Sequence, residues 1–201
     1  MKKLFGLLIA MAIFQAAEAQ KASAFRLSFD LGAAIPKDGG VGALFNLEPQ
    51  ILVMDNLAVG IRMGVAGLAK DVTYYNISQD YEGEVSANVS VSGTANYFFN
   101  NGNSRVAPYI GAGFGYYALA NVDVREPTST PSGSGELEAD FAWAPMVRAG
   151  IELAKFRLGA EYNLVPPSNL QDVNGQVIGE AANQYFGITL GMTIGGGKWG
   201  K

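Results

Sequence analysis

The sequence predicts an all-β fold: an eight-stranded antiparallel transmembrane β-barrel, with short periplasmic turns and longer extracellular loops, after a cleaved signal peptide. Three observations predict it. The chain begins as an exported chain does. Its apolar residues alternate with small or polar ones over segments longer than ordinary strands, and the connections between those segments alternate in length.

The beginning of the chain sets the compartment. Met1-Lys2-Lys3 is a short positive stretch, Leu4 to Phe14 is continuously apolar, and Ala17-Glu18-Ala19 offers a cleavage site before Gln20. That order is a secretory signal, and the apolar run is too short for a membrane-spanning helix. The expected division is 1–19 signal peptide and 20–201 barrel. Cleavage there takes two of the 14 basic and one of the 18 acidic residues, leaving a net charge of −5. A mildly acidic chain argues against nucleic acid as a partner.

Composition then poses a question. There is no Cys, so disulfides do not hold this exported chain together. Hydrophobic residues make up 49% of it, yet after the signal no apolar run approaches the roughly 18 residues of a helical span.

Periodicity answers it. From Val85 to Phe99 the odd positions are apolar or small, and the even positions carry Ser86, Asn88, Ser90, Ser92, Thr94 and Asn96, with only Phe98 off pattern. Period-2 alternation marks a two-faced strand, and crossing a bilayer at a tilt takes about 9–11 residues. The pattern recurs at Phe25–Ala33, Phe45–Val53, Val59–Val65, Phe141–Leu153, Phe156–Leu164 and Phe186–Ile194, and more weakly at Val106–Tyr117. Eight strands, an even number, close an antiparallel bacterial barrel. Pro49 and Pro145 fall inside them and predict bulges, because proline removes a ladder hydrogen bond.

The connections at 54–56, 100–104 and 154–155 are hairpin-length; of the others, 69–84, 121–138 and 166–183 are longer and more polar, and the first, 34–40, is short. That asymmetry puts turns on the periplasmic side and loops outside. Tyr97, Phe98 and Phe99 gather near one end, and Tyr116, Tyr117, Phe141, Trp143, Tyr162, Tyr185 and Phe186 near the other, as two interfacial girdles would require.

If lipid takes the apolar face, charges lie on the other. A two-residue turn at Ala154-Lys155 sets Glu152 opposite Arg157 and Arg148 opposite Glu161, and Val53 opposite Leu57 sets Glu48 opposite Arg62. Three inward cross-strand ion pairs are therefore expected. They either gate a passage or simply fill a barrel whose eight strands leave room for side chains and little else.

The layout resembles the small outer-membrane barrels of the OmpA, OmpX and OmpW type, the outer-membrane β-barrel domain or porin-family proteins. It covers Phe25 to Ile194, and the stretch Pro108-Tyr109-Ile110-Gly111-Ala112-Gly113-Phe114-Gly115-Tyr116 is of a kind often met there. The chain departs from the family in running past Ile194 into Gly-Gly-Gly-Lys-Trp-Gly-Lys rather than stopping on a terminal Phe, and in lacking a peptidoglycan-binding domain. The resemblance implies residence in the outer membrane of a diderm bacterium, as a monomer. Its implied partners are membrane lipid, lipopolysaccharide and, during insertion, the barrel-assembly machinery.

Enzymatic function is not expected. Outer-membrane lipases, acyltransferases and proteases commonly need a His general base, and this chain has none. No cofactor or metal is expected either, since the carboxylates at 71, 80, 82, 84, 136, 138 and 140 lack metal-loop spacing. The expected role is structural, surface-interacting or narrowly permeating. The alternative is a soluble lipocalin-like barrel with an apolar interior. A polar face built of Gly, Ser, Thr and Asn rather than Lys and Glu speaks against a solvated exterior.

Overall fold

The computed structural model describes residues 23–37, 39–74, 81–100, 104–122, 139–171, 177–196 and 199. The expected signal segment, 1–19, lies outside them. Ten strands follow in order: β1 (Phe25–Pro36), β2 (Gly42–Met54), β3 (Leu57–Tyr74), β4 (Tyr81–Phe98), β5 (Val106–Val122), β6 (Ala139–Leu153), β7 (Phe156–Asn163), β8 (Ser168–Gln171), β9 (Val177–Ala181) and β10 (Tyr185–Gly195). β1 to β7 and β10 form the wall. Each is antiparallel to its neighbours, and β1 closes the ring by pairing with both β2 and β10. A closed ring leaves no unpaired edge in the hydrocarbon, the condition for strands to cross a membrane.

Alternation decides which side chains face which solvent. In β10 the even positions, from Phe186 to Ile194, face out, and the odd ones face in. The outer face carries Leu31 and Leu190, each 65% exposed and paired across β1 and β10, with Ile61, Phe114, Leu158 and Trp143 around the ring. The middle of the inner face carries Ser, Thr, Asn, Arg and carboxylates. This is the inverse of a lipocalin, so that alternative is overturned: apolar side chains outside and polar ones inside suit lipid, not water.

Several elements differ from expectation. The segment 69–84 is largely strand: β3 runs to Tyr74 and β4 starts at Tyr81, with Lys70 opposite Glu84. Ladder hydrogen bonds need no apolar side chains, so the hairpin continues beyond the apolar pattern. The segment 166–183 contains a short β8–β9 hairpin, and β9 pairs with the end of β3. Neither proline makes a bulge. The β2–β3 register is the same on both sides of Pro49, where the ladder only lapses between Leu47–Met63 and Gln50–Gly60. At Pro145 the β6–β7 ladder has ended at Met146–Asn163, and Leu164 N–H donates to the Pro145 carbonyl at 3.0 Å. A missing N–H is tolerated where the ladder lapses or ends. In the wall the register shifts lie instead at Leu52/Met54 and Lys70/Val72.

The girdles also need correction. Tyr97, Phe99, Tyr116, Phe141, Trp143 and Phe186 are exposed on the wall, and Tyr162 is half-buried. Phe98, Tyr117 and Tyr185 instead point inward and are buried. Position parity, not nearness to a strand end, assigns the face. On β5 and β6 the outer aromatics stack: Phe114 on Trp143 at 5.6 Å and Tyr116 on Phe141 at 5.5 Å between centroids.

Candidate functional site

The lumen has three layers, each dictated by inward positions along the strands. At the loop end Ala34, Leu44, Ala66, Leu68, Tyr117, Leu119, Ala144, Val165 and Tyr185 form an apolar collar. At the turn end Leu52, Ala58, Phe98, Ala107, Tyr109 and Trp199 form a second. Between them lie Arg26, Arg62, Arg148 and Arg157 with Asp30, Glu48, Glu152 and Glu161, all buried. Four cations face four anions among the described residues, so the layer is formally neutral and presents no excess charge to select ions.

All six charged residues singled out in the sequence lie in this layer, but not with the expected partners. The predicted β6–β7 register is the observed one, with Glu152 opposite Arg157 and Arg148 opposite Glu161. The β2–β3 ladder flanks Glu48 and Arg62 in the register that sets them opposite. The ion pairs nevertheless cross the lumen. Arg148 grips Glu48 with two bonds, Nη1 to Oε2 at 2.7 Å and Nη2 to Oε1 at 2.5 Å. Arg62 donates to Glu161 at 2.5 Å, and Arg26 pairs with Glu152. In the ring β6 lies diametrically opposite β2, and β7 opposite β3. An eight-stranded barrel is so narrow that a long guanidinium reaches the far wall. Bidentate geometry with a carboxylate then wins over the adjacent strand.

Neighbours complete the three glutamates. Thr94 donates to Glu48 at 2.5 Å, Asn163 to Glu161 at 2.9 Å, and Thr193 to Glu152 at 2.7 Å. Tyr117 OH donates to Asn163 at 2.8 Å, tying the apolar collar to the ionic layer. Arg157 is held more loosely: its Nε donates to Tyr109 OH at 3.0 Å, and Asp30 and Glu48 stand 3.8 and 3.9 Å from Nη1. Gly111 makes the room that Arg148 needs. A Cβ there would sit 2.2 Å from Asn96 Oδ1, the atom that accepts from Arg148 Nε at 2.7 Å.

Sequence reasoning missed Arg26, Asp30 and Trp199. The first two were legible, since Phe25, Leu27, Phe29 and Leu31 face lipid and the even positions of β1 must then face in. Trp199 follows the last strand and carries no alternation signal. Of the loop carboxylates, Asp140 is exposed at the start of β6, and the side chains of the others lie outside those described.

The lumen of this barrel can be compared with known proteins. A family model, the outer membrane protein beta-barrel domain, matches residues 5–192. No curated protein matches the sequence. Among solved structures, Neisserial surface protein A is similar with a TM-score of 0.54 at 15% identity, covering 86% of this chain and 98% of that one. The outer membrane protein OprG from Pseudomonas aeruginosa is similar with a TM-score of 0.53 at 12% identity, covering 88% and 98%. At such identities these two likenesses show the fold alone, and the matched domain shows the family. The chain is a member of the outer-membrane β-barrel family and resides in the outer membrane, its wall in the lipid.

Proposed function

We propose that this protein is a closed, non-enzymatic barrel that serves the envelope through its wall and its loop face rather than as an open pore. The observation that carries this reading is the interior: a neutral, cross-braced ionic layer between two apolar collars. Dehydrating a solute ion to pass an apolar collar is costly, and the layer offers no net charge in return. Lipopolysaccharide around the wall and the assembly machinery during insertion are the partners this reading assigns, and 1–19 is its export signal.

A narrow permeation role is the second reading. Asn46, Gln50, Ser86 and Asn88 line the β2–β4 side of the lumen, and their polar side-chain atoms have no hydrogen-bond partner among the described residues. Buried polar groups of this kind hold water.

The deciding experiment shortens the segment 123–138 in a strain lacking the protein. The loop-face reading expects heat-modifiable folding on gels to persist while the deletion phenotype is no longer complemented. Full complementation by the trimmed barrel would contradict it.

A further inference from the structure

Trp199 does not trail away from the barrel. It is 3% exposed, inside the turn-side mouth among Leu52, Ala58, Phe98, Ala107 and Tyr109. Its Nε1 donates to Glu152 Oε2 at 2.5 Å, its ring lies 4.9 Å from that of Phe98, and the Arg26 guanidinium stands 5.6 Å from its centroid. An apolar slot, a carboxylate for the N–H and a cation near the ring are what an indole needs when taken out of water.

The chain reversal that delivers it is built for the purpose. Gly195 and Gly196 have φ of +82° and +68°, the left-handed region that side chains disfavour. A Cβ at Gly196 would lie 2.4 Å from Arg26 Cγ, so the backbone passes where only glycine fits. Lys155, in the β6–β7 turn, donates its Nζ to the Gly195 carbonyl at 2.6 Å. Two parts of the chain distant in sequence, Arg26 and Lys155, thus fix Gly195 and Gly196.

We infer that the turn-side mouth is a binding site for indole-type aromatics, filled in cis by Trp199, and that this side chain is the plug of the lumen. Glu152 gives the site its preference for an N–H donor. An isosteric ring without one leaves that carboxylate lone pair unpaired in a dry slot, a loss of at least tenfold in affinity.

The protein has no Cys, so a single Gln50→Cys, opposite Arg26 on the buried face, reports on the mouth. In the purified full chain a small charged thiol reagent should modify Gln50→Cys at least about tenfold faster once Trp199→Ala is added, since a polar reagent is excluded from a packed mouth. Millimolar indole should slow that reaction again and raise the melting midpoint of Trp199→Ala, while benzofuran at the same concentration does neither. Equal labelling rates with and without Trp199, or an absent indole effect, overturns the inference. Should Trp199→Ala not fold, Trp143→Phe leaves Trp199 as the only Trp of the two. Its fluorescence should then resist acrylamide quenching, and quenching like that of free indole overturns the inference equally.

Discussion

Arg148 lies directly opposite Glu161 in the β6–β7 ladder, yet its guanidinium leaves that neighbour and closes on Glu48 across the lumen at 2.5–2.7 Å. Glu161 is taken in turn by Arg62 from the opposite wall. The barrel is therefore braced along its diameters as well as around its circumference.

Removing one partner of such a pair strands a charge. Arg148→Met or Glu48→Gln should each lose about 3–5 kcal/mol in urea unfolding, and the double variant should recover much of it. Arg148→Met combined with Glu161→Gln should couple less, because those two side chains do not meet. Double-mutant cycles in micelles or vesicles check both statements. Stronger coupling for Arg148 with Glu161 would return the pairing to adjacent strands.

Side-chain parity made most of the fold legible. Once Val89 and Val91 face lipid, Ser90 and Ser92 must face in, and the hairpin at Ala154-Lys155 fixes the register of β6 and β7. Parity says which charges are inside but not how far they reach. Glu48 and Arg62 are neighbours by register and strangers by contact, because lumen width is a property of the closed ring rather than of any pair of strands. Phe98, Tyr117 and Tyr185 obey parity too, and proximity to strand ends misassigned them. Trp199 belongs to no strand, and only the folded mouth reveals its place.

The lipid face makes a second prediction. Leu190 sits midway along β10, exposed and paired with Leu31. Leu190→Arg should cost about 2–4 kcal/mol, the penalty for a cation near the bilayer midplane. Val41→Arg, before β2 and 68% exposed, should change stability by less than about 0.5 kcal/mol. Equal effects in a vesicle-refolding titration would deny that β10 crosses the hydrocarbon.

Orientation gives a third. Val41 lies at the loop end and Ser104 at the turn end, both exposed. Cysteines placed singly there should differ: Val41→Cys labels with an impermeant maleimide on intact cells, and Ser104→Cys labels only after lysis. The opposite pattern would turn the barrel over, against the rule that short turns stay periplasmic.

Planar-bilayer recording of the purified full chain tests the filled lumen most directly. Two apolar collars around a neutral ionic layer predict no large, stable single-channel steps, since eight strands leave space for side chains and not for an aqueous channel. Large, steady currents from protein shown to be folded by its gel mobility before boiling would contradict the closed barrel.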